Sequence, residues 1–370
     1  MKTLIANLGS TSFKYKLFDL SKSEKHLAEG SVDRIGLPIS NWSFKGGKPE
    51  KIASGQDHFS DHAAAIDFHL TTLIEADVIA GANQLDAIGF KAVHGGPICG
   101  AVIVDENVIK VMTDFSDVAP SHNPPYIEAM KAFKSMLPDT PQVAAFETAF
   151  HQTIPQKRQV YAIPYEWTEK LGIRRYGFHG ASHAFVAHRF KEIDTRLTKI
   201  INCHLGGSSS ICAIRDHQSV ANSFGMTAQS GIPHAVRVGD FDTFSLLKLK
   251  AAGLELDTIW AKLGKESGLL GMSGVSSDLR DIETAAAEGN QRAVLAIEVL
   301  VEAIRSYIGS YLVALNGADA ICFTGGIGQF SSMIRAKVLQ NLDFAGIRLD
   351  PDKNQTIDGN QENRIDQTNS

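Results

Sequence analysis

The sequence is poor in cysteine, in blocks of like charge and in long apolar runs, and each shortage removes a class of protein. Four cysteines in 370 residues, at 99, 203, 212 and 322, show no CxxC spacing, which excludes a paired-cysteine zinc site and speaks against a disulfide framework. Three of them lie in strand-like apolar runs, where reduced core thiols are expected. The longer apolar stretches are interrupted by charge, as Glu298 and Glu302 interrupt "AVLAIEVLVEAI", so none reads as a membrane span. The N-terminal "MKTLIANLGS" has too short an apolar run for a secretion signal. With a formal charge of −5 and no Lys/Arg block, neither nucleic acid nor an anionic membrane is an expected partner. A cytoplasmic protein whose anion sites are local is expected.

What remains has the composition of an ordinary globular enzyme. A chain with 44% hydrophobic and 21% charged residues over this length suits two domains. Strand-like runs alternate with helical periodicity, an α/β pattern. Over 291–315, Val294, Ile297, Leu300, Ile304, Ile308 and Leu312 recur at helix spacing, and "ADAICFTGGIG" follows as a buried strand running into glycines. Residues 45–60 read as a loop or an edge hairpin. Two prolines in 137–145 place a domain boundary near 145, giving domains over 1–145 and 146–350. The polar stretch 351–370, with one Ile in each half and no aromatic, is expected to fray in solvent.

At 201–214 the chain reads "INCHLGGSSSICAI". Its five small residues exceed what a tight hairpin turn needs, and they leave N–H and hydroxyl groups that an oxyanion would satisfy. The Gly-Lys-Ser/Thr signature of a P-loop is absent. A similar unit, "LIANLGSTSFKYKLFD" at 4–19, stands about half a chain earlier, so the two read as heads of related halves. Between and around them, "KAVHGG", "SHNPP", "FETAFHQT", "RRYGFHGASH" and "RVGDFD" concentrate His and basic residues beside Gly, Pro and Asn. Five such clusters in a chain with 13 His point to an anionic active site, and no HExxH or paired Cys makes it a zinc site.

Taken in order, "NLGSTSFKYKLFD", "AVHGG", "APSHNP", "FETAFHQTIP", "RRYGFHGASH", "CHLGGSSS", "SGLLGMSGVSSDLRD" and "FTGGIG" resemble the acetate kinase family over residues 1 to about 350. The resemblance implies a duplicated actin/hexokinase-like (ribonuclease H-like) two-domain α/β fold and a homodimer. It also implies phosphorylation of a short carboxylate, with ATP/ADP as co-substrate and Mg²⁺ (or Mn²⁺) as cofactor. A carboxylate is already ionised at neutral pH, so no general base is required. The obstacle is repulsion between two anions, which in-line transfer overcomes with Arg, Lys, His⁺ and a divalent ion.

On matched motif positions the resemblance implies Arg237 and His179 as transition-state stabilisers, His122 as a phosphoryl contact and Lys91 as the carboxylate contact. Val93, Ser121, Phe178 and Ala228 match the acyl pocket. Asn7 and Glu147 would position the metal and its waters, with Glu147 also counted among the catalytic groups. Lys14, with Ser10 and Ser12, would approach the phosphates, as would the loop His204, Leu205, Gly206, Gly207 and Ser208. Base and ribose would meet Asp278, Leu279 and Arg280 and the segment Gly326, Ile327, Gly328, Gln329 and Phe330.

Several positions depart from the family. Lys91 stands where Arg is usual, exchanging a fork for a point charge, and Glu147 replaces Asp with an arm one methylene longer. Ser121 and Ala228 replace Leu and Pro, so a roomier and more polar acyl pocket is expected. The loop reads "GGSSS" rather than Gly-Asn-Gly-Ala-Ser, and the family's terminal Thr-Asn-Glu-Glu segment has no match. Three readings follow: an acetate kinase, a kinase for another acid such as propionate or with another phosphoryl donor, and a non-catalytic nucleotide-binding relative.

Overall fold

The computed structural model describes residues 1–370 except Lys48, Cys99, Ser121, Asn360 and Asn369. Its backbone contacts divide into two compact units, Met1–Ala149 and Phe150–Ser370.

In the first unit, eight strands among the described residues form one sheet: β1 (Lys2–Gly9), β2 (Ser12–Asp19), β3 (Lys25–Asp33), β4 (Ser40–Gly46), β5 (Lys51–Asp57), β6 (Ala87–Ala92), β7 (Ala101–Ile103) and β8 (Gln142–Phe146). The order is β5-β4-β3-β2-β1-β6-β8-β7, with β1 to β5 antiparallel neighbours and β1, β6 and β8 parallel. Strict alternation in β1 and β2 sends Leu4, Ala6, Leu8, Phe13, Tyr15 and Leu17 into a core. The helices His62–Glu75 and Asn123–Met136 cover that face. Asn7, Lys14 and Lys16 are left on the opposite, exposed face. Residues 45–60 contribute to the β4–β5 edge hairpin, the second of the two expected forms.

The second unit has a four-stranded sheet among the described residues: β9 (Lys199–His204), β10 (Ser210–Arg215), β11 (Gln218–Asn222) and β12 (Ala320–Thr324), in the order β11-β10-β9-β12. Its pairing, antiparallel from β11 to β9 and parallel from β9 to β12, repeats that of β3-β2-β1-β6. The chain therefore carries the duplicated fold that the two similar heads implied. Both faces of this sheet are covered, which is why its strands read as continuous apolar runs rather than alternating ones. Ile201, Cys203, Ile211 and Ala213 pack against the long helix Gln291–Leu315. Ile200, Cys212 and Ile214 pack with Val186 and Ala187 of the helix Gly180–Ile193. Cys203, Cys212 and Cys322 are free thiols. Cys99 lies outside the described residues.

The described residues of 351–370 are ordered, not frayed as their polar composition suggested. Pro351–Gln355 forms a short helix capped by Asp350, and Leu349 bridges to Asp366. The anchor is Arg335, 2% exposed, whose Nε and Nη2 donate to the side-chain and main-chain oxygens of Asn354 at 2.7 and 2.8 Å. Hydrogen bonds rather than apolar burial hold this part of the chain, from Arg335 to Asn354 and between Arg348, Asp350, Lys353 and residues 365–367, and hydrophobicity alone does not reveal them.

Candidate active site

In the first unit the hairpin register sets Asn7 opposite Lys14, so both side chains leave the same face of the sheet. Tyr126 fixes the asparagine end: its hydroxyl accepts from the Leu8 N–H at 3.1 Å and donates to Asn7 Oδ1 at 3.2 Å. Nothing in the sequence reading singled out Tyr126, because its partner lies 119 positions away. Gly9 pairs with Ser12, so Ser10 and Thr11 form a two-residue turn, with Ser10 exposed and Ser12 half-buried. This turn is tighter than the loop that resembles it in the second unit. Lys14 Nζ stands 3.6 Å from Asp33, both about half exposed.

The parallel strands β6 and β8 end side by side, and the residues at those ends meet. Lys91 Nζ is 2.8 Å from Glu147 Oε1, the lysine side chain 48% exposed and the glutamate 5%. The Glu147 N–H donates to Ala92 O at 2.9 Å, which fixes where the acid arm begins. His122 heads the helix Asn123–Met136. Behind it, fully buried Asn123 accepts from the His94 N–H and donates to the His94 and Met112 carbonyls. Val93 is half-buried against the core. Ser121 lies outside the described residues.

In the second unit, the loop 205–209 leaves β9 where that strand runs parallel to β12. Ser209 closes it: its hydroxyl donates to Gly206 O and accepts from Gly206 N, and its own N–H donates to His234 Nδ1 at 3.1 Å. Burial pushes His234 down to about 3, so it is a neutral acceptor. The Ala235 N–H holds Gly207 O at 3.0 Å. The N–H groups of Gly207, which is exposed, and Ser208, which is half-buried, have no acceptor among the described residues. Two adjacent N–H groups at the carboxyl ends of parallel strands make an anion-binding concavity.

The same loop seats the second glycine segment. Leu205 O accepts from the N–H groups of Ile327 and Gly328, and Leu205 N donates to Thr324 O. Gly325, at φ 75°, lies so close to the Leu205 carbonyl that a β-carbon would collide with it. Gly326 to Phe330 fall in the helical turn Gly325–Phe330, with Phe330 70% exposed. Ser331 donates to Glu283 at 2.6 Å, linking this turn to the helix Leu279–Ala287, whose start is capped by Asp278. Asp278 also pairs with the exposed Arg280. The Leu279 side chain is in the core, so only its main chain is available to a ligand.

His179 and Arg237 complete this set. His179 heads the helix Gly180–Ile193 at φ 57° and ψ 30°, a left-handed conformation that costs a residue with a β-carbon about 1–2 kcal/mol. Such strain is characteristic of functional positions. Its ring lies 4.3 Å from that of His204 and packs edge-on to Phe224. Arg237 Nη1 donates to Ala228 O. Burial lowers the guanidinium to about 10, which still leaves it cationic at neutral pH. Phe178 is buried, with its carbonyl accepting from His151 Nε2 at 2.8 Å.

No helix among the described residues is long and apolar enough to cross a membrane. Comparison with known proteins agrees with this construction. The profile of the acetokinase family matches residues 2–370. The acetate kinase of Clostridium botulinum (strain Okra / Type B1) is 43% identical over 364 residues, covering 96% of this chain and 90% of that protein. The acetate kinase of Natranaerobius thermophilus is 42% identical over 363 residues, with coverage of 96% and 90%. Among solved structures, Porphyromonas gingivalis acetate kinase superposes with a TM-score of 0.89 at 38% identity, covering 100% of this chain and 94% of that one. A propionate kinase from Francisella tularensis superposes with a TM-score of 0.90 at 32% identity and the same coverage. The chain belongs to the acetokinase family.

Proposed function

We propose that the protein is an acetate kinase, a phosphotransferase that moves the γ-phosphoryl group of ATP in line onto the carboxylate of acetate or a similar short acid, reversibly. The observation that carries this reading is the loop 205–209, rigidly closed by Ser209 and His234 yet presenting the Gly207 and Ser208 N–H groups. Those donors suit the nucleotide phosphates, with Lys14, Ser10 and Ser12 as further contacts. Asp278, Leu279 and Arg280 and the turn 326–330 suit base and ribose, since both segments are tied together through Glu283 and Ser331. Arg237, the strained His179 and His122 supply donors to the oxygens on which charge accumulates during transfer. By the family's motif positions, Lys91 is assigned to the acid's carboxylate and Val93, Phe178 and Ala228 to its acyl end, with Ser121 assigned there from the sequence alone.

No group of three or more His, Cys, Asp and Glu able to hold a metal occurs among the described residues. The fitting oxygen donors are the Glu147 carboxylate and Asn7 Oδ1. Mg²⁺, which keeps several waters and takes few protein carboxylates, suits so sparse a set; Mn²⁺ has the same oxygen preference. When bound, the ion neutralises phosphate charge. Glu147 and Asn7 would hold it or its waters. A cytoplasmic homodimer completes the reading, and its assembly state is open to sedimentation.

A hydroxamate assay for acyl phosphate tests the proposal. Acetate with ATP and Mg²⁺ is expected to give product, while GTP and pyrophosphate serve as alternative donors. The propionate kinase neighbour and the substitution at Ala228 favour propionate as a second substrate. Nucleotide binding without acyl phosphate from any acid would make the chain a non-catalytic relative.

A further inference from the structure

The face of β9 and β10 that meets the helix Gly180–Ile193 is polar at one end, and its groups form a single file. Ser210 and His204 are register partners on adjacent strands, and Cys212 pairs with Asn202 one step inward. Against them the helix sets His179, Ser182 and His183. Ser210 Oγ lies 2.9 Å from His179 Nδ1 and 2.8 Å from His183 Nε2. Asn202 Nδ2 lies 2.9 Å from His183 Nδ1, and Asn202 Oδ1 accepts from Thr324 Oγ1 at 3.4 Å. Asn202, His183 and Ser210 are each 0% exposed, which shields the links among them from solvent, while His179 at the end of the file is half-buried.

A file shielded along its length has a direction. The Asn202 NH₂ can only donate, so His183 Nδ1 accepts. Burial, together with the neighbouring His151, His179 and His204, holds His183 well below its ordinary range, so it is neutral with its single proton on Nε2. That proton goes to Ser210 Oγ, which leaves the serine hydroxyl to donate to His179 Nδ1. A cationic His179 would need Nδ1 to donate, turning Ser210 into a double acceptor with its own proton stranded.

We propose that Asn202, His183 and Ser210 are positioning residues that hold His179 as the neutral Nε2–H tautomer, so that it meets the transferring phosphoryl group as a hydrogen-bond donor rather than as a cation. This rests on the assignment of His179 under Proposed function and departs from the cationic histidine that charge neutralisation alone suggests. The left-handed backbone at His179 serves the same end, since it brings Nδ1 back onto Ser210 from the first residue outside the helix.

The test is a two-bond ¹H–¹⁵N correlation spectrum of the full chain labelled with ¹⁵N-histidine at neutral pH, with His179 assigned from the His179→Gln spectrum. Wild type is expected to show His179 protonated on Nε2 alone. Ser210→Ala should shift that pattern toward a mixture of tautomers and lower kcat about tenfold, the worth of one neutral hydrogen bond, with KM for ATP unchanged. A wild-type His179 protonated on Nδ1, or on both nitrogens, overturns the proposal whether or not the variant folds. So does a His179 signature that Ser210→Ala leaves unmoved. Absence of acyl phosphate formation by wild type would instead overturn the functional assignment, leaving the tautomer result to stand by itself.

Discussion

Lys91 and Glu147 form a 2.8 Å ion pair from the ends of neighbouring parallel strands, at the two positions where the family resemblance leads one to expect Arg and Asp. Their pairing predicts that the two departures compensate one another. A single-headed ammonium replaces a fork, and an acid arm one methylene longer closes the distance.

The pair therefore behaves as a unit. Glu147→Asp, although it restores the family residue, should lower kcat/KM for acetate about tenfold, and Lys91→Arg alone should also be harmful. The double variant should recover most of the loss, a coupling of about 1–2 kcal/mol, modest because the lysine is half-exposed. Steady-state kinetics of the four proteins in a double-mutant cycle decides it. Additive losses would mean that the two substitutions arose independently.

Arg237 should tolerate no substitute. Its fork is engaged on one side by Ala228 O, and a half-buried guanidinium keeps its charge where an ammonium in the same place more readily loses it. Arg237→Ala should lower kcat by about 10²–10³, as removal of a preorganised oxyanion partner does. Arg237→Lys should recover little of that, and nucleotide affinity, read by calorimetry, should change little in either. Full turnover in the alanine variant would remove Arg237 from the reacting centre.

How much of this was legible in the sequence depends on how local the cause is. The duplicated sheets follow from two strand–Gly/Ser–strand heads, and the helix Gln291–Leu315 from its apolar spacing, because both are patterns within one segment. The closure of the loop 205–209 by Ser209 was within reach for the same reason. The file from Asn202 to His179 was not, since it requires the register of β9 on β10 and the packing of one helix on both. Likewise the ion pair of Lys91 and Glu147 depends on β6 lying beside β8. The sequence marks Lys91, Glu147 and His179 singly and gives Asn202, His183 and Ser210 no role, and only the fold shows them in contact.

Stability should fall in mild acid through the buried histidines of the second unit. Burial pushes His151 down to about 4 and His234 to about 3, whereas the unfolded chain binds those protons near 6.5. Their contribution is complete above pH 6.5 and is lost as pH drops toward 4, by about 2–3 kcal/mol each at pH 4.5. The melting temperature should therefore decline steeply between pH 6.5 and 4.5. His151→Gln, which keeps a donor toward Phe178 O, should lie lower at pH 7 but decline less steeply. Parallel curves for the two proteins would show that His151 carries none of the effect.

The ordered tail gives the last expectation. Arg335 Nη1 donates to the carbonyls of Gly328 and Gln329 at 2.9 and 2.7 Å while Nε and Nη2 grip Asn354, and Gln329 Nε2 reaches back to Gly359 O. Arg335 thus joins Asn354, and Gln329 joins Gly359, to the turn assigned to the nucleotide base. Arg335→Ala would strand buried carbonyls and cost several kcal/mol of stability, so Asn354→Ala is the gentler probe: it removes the acceptor of Nε and the donor to Ser332 O without emptying the cation site. If the tail holds the turn in place, KM for ATP should rise about three- to tenfold in Asn354→Ala, while KM for acetate stays within about twofold, the larger change corresponding to one hydrogen bond of about 1.4 kcal/mol. Equal increases in both constants would point to a general loosening of the second unit, and no increase in either would make the tail a structural strap with no bearing on the nucleotide.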